Sequence, residues 1–140
     1  MKCDIVFYLA KKTALCEKKL RELFSNRIYE VNTVTASTSP ESLGMQLNSH
    51  LSCVNLVMII GGLRDNDFRS ISNVFSKALA NSSRDIIPKK VKNPVGNMEG
   101  YILRSGKQTI ICLPDNPEEI EGMLNEMMFS YLDRVYGDNA

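Results

Sequence analysis

The stretch LVMIIGG at residues 56–62 is the most apolar run of this 140-residue sequence, and it ends in a pair of glycines. A short apolar run that stops at glycine is typical of a strand covered on both faces of a sheet. We therefore expect residues 56–60 to form the central strand of the fold. Gly61-Gly62 is expected to form the turn that follows it.

Strand and helix patterns alternate on the amino-terminal side of this stretch. Residues 4–10 are nearly all apolar and residues 28–35 are rich in β-branched side chains, so both are predicted strands. Between them, apolar residues recur at helical spacing over residues 16–24. Ser39-Pro40-Glu41 is typical of a helix start, because serine caps free amide groups and proline fits the first turn.

The pattern continues beyond the glycine turn and then changes. A helix is predicted from Phe68 to Leu79, and residues 86–91, interrupted by Pro88, are an edge strand at best. Residues 101–104 and 109–113 flank a polar turn and predict a β-hairpin. Asn116-Pro117 predicts the start of one long helix that ends at Gly137 and has Met127 and Met128 on its inner face.

These elements predict one α/β domain over residues 1–140. Repeated alternation of strand and helix favours a mostly parallel sheet with helices on both faces, which is a three-layer α/β/α arrangement. The hairpin adds a late antiparallel part to the sheet. A chain of 140 residues is long enough to bury one substantial core.

The composition limits the binding partners and the location expected for the protein. A formal net charge of +1 gives no bulk attraction to nucleic acid or to anionic membranes, so neither is an expected partner. No apolar run approaches the roughly 20 residues that span a bilayer. Asp4 stands where a signal peptide would have its apolar core, and the expected location is the cytoplasm.

The cysteines and the single histidine are predicted to be structural. The four cysteines are far apart and form no CxxC pair, which disfavours a zinc site. Cys3, Cys16 and Cys112 fall in strand or helix positions where a reduced thiol is a small apolar residue. His50 shares a predicted helix face with Leu47, which favours a packed or half-exposed residue, although a catalytic pair with cysteine or serine stays open.

Two turns are candidates for a ligand site, because open parallel sheets bind ligands beyond the carboxyl ends of their strands. The first turn covers residues 61–67, where glycines let a ligand approach the backbone and a helix start offers N–H groups to an anion. The second covers residues 113–117 and plays the same part for the last helix. Either segment is equally consistent with a simple tight turn. The candidate ligand-binding residues are Gly61, Gly62, Arg64, Asp65, Asn66, Pro114, Asp115 and Asn116.

The aspartates of these turns have two interpretations. A carboxylate at a helix amino terminus caps the helix, and this is the plainer interpretation of Asp65, Asp67 and Asp115. Such a carboxylate repels a phosphate unless a divalent cation bridges the two. Asp65 and Asp67 have a spacing that suits Mg²⁺, with water and ligand oxygens completing the coordination shell.

The glycine turn and the second half of the chain resemble the molybdopterin-binding-domain family, which includes MogA, MoaB and the amino-terminal domain of CinA. MIIGGL at residues 58–63 resembles the strand and Gly-Gly-x-Gly loop of that family. NPVGNMEGY at residues 93–101 and LPDNPEE at residues 113–119 resemble the Asn-Pro-Val-Gly-x-x-x-Gly-Phe and Leu-Pro-Gly-x-Pro-x-Glu segments of the CinA branch. The resemblance covers nearly the whole chain.

The resemblance implies a pocket for a pterin phosphate or a nucleotide diphosphate. It adds Gly96 to the ligand-binding residues. Compared without gaps, it puts Phe68 or Arg69 at the position of the aspartate used in catalysis, and with a shortened loop it puts Asp67 there. The implied activity is hydrolysis of a pyrophosphate such as ADP-ribose in the CinA branch and adenylyl transfer to molybdopterin in the MogA branch. Members are often oligomeric, so the resemblance adds a homo-oligomer to the expected partners.

The sequence departs from the family pattern at ligand positions. Arg64 replaces the third glycine of the first loop, and Asp115 replaces the glycine of the second turn. These departures favour an alternative function, a non-catalytic member that acts as an oligomeric or regulatory module. The sequence leaves open whether the chain is an enzyme.

Overall fold

The computed structural model describes residues 1–63, 74–75, 78 and 88–137. The described strands form one sheet, and the predicted late hairpin is present as its last two long strands. The strands are β1 (Lys2–Tyr8), β2 (Glu30–Ser37), β3 (Leu56–Ile60), β4 (Lys89–Val91), β5 (Gly100–Ser105) and β6 (Gln108–Leu113).

The strand order is β2-β1-β3-β6-β5-β4. β1 pairs in parallel with β2 and with β3, and β3 pairs in parallel with β6. The β6–β5 and β5–β4 pairs are antiparallel. The prediction of a mostly parallel sheet with a late antiparallel part is therefore confirmed, and β4 lies at the edge as its proline-interrupted sequence predicts.

Helices cover both faces of this sheet. The described helices are α1 (Thr13–Phe24), α2 (Pro40–Leu51), α3 (Pro117–Met123) and α4 (Glu126–Tyr136). Apolar residues of α1, α3 and α4 pack in one core cluster, and those of α2 pack in a second cluster on the opposite face. The three-layer α/β/α prediction is confirmed.

The central strand lies between the two clusters. All five residues of β3 are fully buried, because Met58 and Ile60 pack against the α1 side while Val57 and Ile59 pack against the α2 side. Of the helix predicted from residue 68 to 79, Val74, Phe75 and Ala78 are helical, and the other positions lie outside the described residues.

The last predicted helix is wrong in one respect, because the chain forms two helices there. Leu124 leaves helical geometry with φ −87° and ψ 63°, and the Asn125 side chain then accepts a hydrogen bond from the Met128 amide as the cap of α4. This break shifts the helical register. Met128 is buried as predicted, whereas Met127 is 81% exposed, so its predicted place on the inner face is also wrong.

The structural prediction for the cysteines holds, since Cys3, Cys16 and Cys112 are buried and unpaired. Burial raises the pKa of the Cys16 thiol to about 11. No helix among the described residues has the length and apolarity to cross a membrane.

Candidate functional site

Three connections meet at one edge of the sheet. They are loop 9–12 after β1, turn 61–62 after β3 and turn 113–116 after β6. Because β1, β3 and β6 are parallel neighbours, their carboxyl ends lie side by side. This is the edge at which open parallel sheets bind ligands.

Loop 9–12 has an unusual backbone. Leu9 and Lys12 have φ values of 49° and 55°, in the left-handed region that non-glycine residues rarely occupy. Leu9 is 47% exposed, and the side chains of Lys11 and Lys12 are also exposed. The loop therefore presents one apolar and two cationic side chains to solvent.

Hydrogen bonds from two neighbouring elements hold this loop. The Leu9 amide donates to the carbonyl of Ser37 at the end of β2, over 3.2 Å. The Lys11 amide donates to Oδ2 of Asp115, over 2.6 Å. Asp115 is 5% exposed, so its carboxylate is turned into the protein and braces the loop.

The glycine turn packs directly against the end of β1. Gly61 and Gly62 have φ values of 103° and 71°, and both are buried. A Cβ atom on Gly61 would overlap the carbonyl oxygen of Tyr8, and one on Gly62 would overlap the Tyr8 ring. This close approach alone accounts for the two glycines, and their contact with a ligand stays a prediction.

Turn 113–116 is also explained by internal contacts. Pro114 is buried, and Oδ1 of Asn116 accepts hydrogen bonds from the amides of Glu118 and Glu119 at 3.0 and 3.1 Å. Asn116 is thus the cap of α3, as its position before proline predicts. A ligand-binding role for Pro114, Asp115 and Asn116 stays a prediction.

The segment that contains Gly96 is attached to α3. Oδ1 of Asn93 accepts from the Gly96 amide over 2.9 Å, while its Nδ2 donates to Oε1 of Glu119 over 2.6 Å. A Cβ atom on Gly96 would overlap that Glu119 carboxylate. The two motifs that the sequence shows separately, at residues 93–101 and 113–119, are therefore in contact. Ligand binding by Gly96 stays a prediction.

Solved structures with this arrangement are known, although no family model and no curated protein sequence matches the chain. The chain is similar to CinA of Thermoplasma acidophilum, a protein described as having unknown function, with a TM-score of 0.69 and 18% identity over 93% of this chain and 98% of that one. The fold is that of the CinA, MoaB and MogA proteins.

Two further structures support this statement about the MogA-type fold. The molybdopterin biosynthesis enzyme MoaB of Thermus thermophilus has a TM-score of 0.68 and 17% identity, covering 97% of this chain and 96% of its own. The molybdopterin biosynthesis Mog protein of Mycobacterium ulcerans has a TM-score of 0.66 and 15% identity, covering 96% and 98%. At these identities the likeness establishes the fold, and the fold expected from the sequence resemblance is confirmed.

The other site residues predicted from the sequence are Arg64, Asp65, Asn66 and Asp67, and they lie outside the described residues. Their ligand-binding, catalytic and Mg²⁺-binding roles stay predictions. Within the described part of the chain, no three histidine, cysteine, aspartate or glutamate side chains are grouped so that they could hold a metal ion.

A second polar cluster lies away from the candidate site, between β1, β2 and α2. Oδ2 of Asp4 lies 2.6 Å from Nδ1 of His50, and Nε2 of His50 lies 2.8 Å from Oγ1 of Thr35. The Thr35 hydroxyl also donates to Oε1 of Gln46 over 2.9 Å, so the histidine ring lies between a carboxylate and a hydroxyl that are themselves held by other residues. Asp4 and His50 are 2% and 8% exposed. His50 is packed, as predicted, but its pairing with Asp4 was not foreseen.

Proposed function

We propose that this chain binds a small phosphorylated ligand, a pterin phosphate or a nucleotide diphosphate, at the carboxyl ends of β1, β3 and β6. The observation that carries the proposal is loop 9–12, whose strained backbone is held at this edge by hydrogen bonds from β2 and turn 113–116. Strained residues persist where the surrounding structure fixes them, and they concentrate at functional sites. The similar MoaB and Mog structures are named as molybdopterin biosynthesis proteins, which favours the pterin.

The charge of the loop suits an anion. Lys11 and Lys12 are exposed and directly precede the first turn of α1, which contains no acidic residue. Lys12 occupies the cap position without a side-chain cap, so the α1 amides and the two ammonium groups act in the same direction. Asp115 opposes them, because its carboxylate lies at the Lys11 amide and its negative charge reaches the start of α1, where it helps burial to raise the pKa of the Cys16 thiol. Among the described residues of this edge, two cations therefore face one buried anion.

Catalysis is a further step of the proposal. Asp65 and Asp67 would hold Mg²⁺ through carboxylate oxygens, which are the ligands this ion prefers, and the ion would neutralise phosphate charge. Asp67 is the proposed catalytic residue. The reaction would be hydrolysis of a pyrophosphate such as ADP-ribose, or adenylyl transfer to molybdopterin, in the cytoplasm.

The alternative is a non-catalytic protein that keeps the fold as an oligomeric or regulatory module. Asp115 supports it, because the residue in the place of a family glycine is used to brace a loop. Arg64 in the place of another glycine supports it as well. This alternative predicts a defined homo-oligomer in solution and no turnover of any phosphorylated ligand.

Calorimetry with a matched pair of variants tests ligand binding. ADP, ADP-ribose and neopterin monophosphate would be titrated with and without Mg²⁺ into the wild type, into the double variant Lys11→Gln/Lys12→Gln, and into the control Lys2→Gln/Lys18→Gln. All four lysines are exposed and both double variants lose two charges. We expect at least about tenfold weaker binding for the loop variant only, because each lost ammonium group removes about 1 kcal/mol or more of attraction to a nearby phosphate.

Two results would contradict the proposal: no binding of any of these ligands at millimolar concentration, or equal losses in the two double variants. Turnover is tested separately, by product analysis with ADP-ribose and Mg²⁺. Asp67→Asn is expected to abolish any turnover, and unchanged turnover would remove Asp67 from the mechanism. Binding without turnover, together with a defined oligomer in light scattering, would favour the non-catalytic alternative.

A further inference from the structure

Leu9 is the most unusual residue of the candidate site. It is an apolar side chain left 47% exposed, and its backbone lies in the left-handed region that leucine disfavours. A glycine or an asparagine at this position would remove the strain. Leucine is therefore costly here in two ways, in backbone conformation and in exposed apolar surface.

The surrounding structure fixes this conformation. The Leu9 amide is bonded to the Ser37 carbonyl, and the Lys11 amide is bonded to Asp115 on the other side of the loop. The preceding residue, Tyr8, is buried in contact with the glycine turn. The loop thus holds the Leu9 side chain at the carboxyl edge of the sheet and leaves it half-exposed there.

We propose that Leu9 determines specificity by packing against the planar ring of the phosphorylated ligand. This inference rests on the proposed function and names a residue and a chemical class within it. Leu9 lies two and three residues before Lys11 and Lys12, so a single small molecule can contact an apolar side chain with its ring and the cations with its phosphate. Leu15 in the first turn of α1 is a second exposed apolar side chain close to the two lysines in sequence. A ligand with a phosphate and no ring would use the cations only.

Affinity measured for ligands with and without a ring tests this. ADP, neopterin monophosphate and inorganic pyrophosphate would be titrated into the wild type, Leu9→Gly, Leu9→Asn and the control Met45→Asn, whose side chain is 74% exposed on α2. Both Leu9 variants should bind the ring ligand about tenfold more weakly and pyrophosphate with unchanged affinity, because only the ring loses its apolar contact. Met45→Asn should change neither affinity.

Thermal unfolding gives the second measurement. Leu9→Gly and Leu9→Asn relieve a left-handed leucine, so their melting temperatures should equal or exceed that of the wild type while ring binding falls. A loss of ring affinity with a gain in stability would show that Leu9 is kept for the ligand and not for the fold.

The outcomes separate this inference from the function it rests on. If the wild type binds neither the ring ligands nor pyrophosphate, both proposals are wrong. If the wild type binds ring ligands but the Leu9 variants bind them within twofold of the wild type, the role of Leu9 is wrong and the ligand site stands. Equal weakening for pyrophosphate and ring ligands would also overturn the role of Leu9, because it would show damage to the loop as a whole.

Discussion

Replacing Asp4 by alanine removes a buried hydrogen-bond acceptor that has three partners among the described residues. The Asp4 carboxylate accepts from Nδ1 of His50 at 2.6 Å, from the Thr33 amide at 3.1 Å and from Nδ2 of Asn32 at 3.2 Å. Alanine offers no acceptor, so all three bonds are lost. In the part of the chain that the structure describes, the buried side chain of His50 then has no partner at Nδ1 other than the Thr33 hydroxyl at 3.3 Å.

The expected loss follows from these contacts. Leaving a buried polar group without its hydrogen-bond partner costs about 1–3 kcal/mol. Because three bonds to one buried carboxylate are lost together, we expect the free energy of unfolding to fall by about 3 kcal/mol, at the upper end of that range. Residues 32–33 also lie where the β1–β2 register shifts, so the loss should be felt first in the edge strand β2.

Urea unfolding followed by far-UV circular dichroism measures this change, with midpoints compared at a common slope. Glu17→Gln is the control, because it breaks the exposed Glu17–Arg21 pair on α1 and should cost less than about 1 kcal/mol. Hydrogen exchange should show faster exchange of the Thr33 amide in Asp4→Ala, because this amide loses its acceptor. A loss no greater than that of Glu17→Gln would refute the reasoning.

Three further predictions concern glycine geometry and the thiols. Gly62→Ala should lower the free energy of unfolding in urea by at least about 2 kcal/mol, because the new Cβ overlaps the Tyr8 ring. Gly106→Ala has the same kind of backbone, with φ 60°, but open space around it, so it should lower this free energy by only about 1 kcal/mol. Equal losses in the two variants would contradict this. Ellman's reagent should modify one thiol in the native protein, Cys53, and four after unfolding, because the other three are buried. If a second thiol of the native protein reacted as fast as Cys53, this would be evidence against the burial. Burial raises the pKa of the Cys16 thiol from its usual 9.0 to about 11, so the unfolded chain loses the thiol proton at a lower pH than the folded protein does. The contribution of this thiol to the free energy of unfolding should therefore be complete below pH 9 and fall as the pH rises to about 11. Urea midpoints at pH 8, 9 and 10 should show a smaller decline for Cys16→Ala, and an equal decline would exclude this thiol as a cause.

Local patterns were sufficient for most of the architecture. The apolar run at residues 56–60 and the cap signature at Ser39-Pro40 are each formed by neighbours in sequence, and the structure has β3 and α2 at those positions. Strand ends were less accurate: β1 and β2 end two residues away from the predicted positions, at Tyr8 and Ser37. Their bounds depend on pairing between strands, which a single run of residues does not contain.

The contacts that sequence reasoning missed join distant parts of the chain. Asp4 and His50 are 46 residues apart, and the only local signals were an acid at the start of an apolar strand and a histidine on an apolar helix face. The bond from Lys11 to Asp115 spans 104 residues and has no local signal at all. The break between the last two helices has a local signal, because Asn125 stands three residues before Met128, at the spacing of a helix cap. The surrounding pattern of apolar residues suits a continuous helix equally well.

The hydrogen bond between Asp115 and loop 9–12 fixes the backbone of the loop without involving its side chains. Asp115 is bonded to the amide of Lys11, and every residue except proline has that amide, so the contact places no demand on the side chain at position 11. That side chain is exposed and can be exchanged while the path of the backbone is kept. If the proposed function holds, position 11 is thus a place where the ligand preference of this protein can be altered, by evolution or by design, without rebuilding the edge of the sheet.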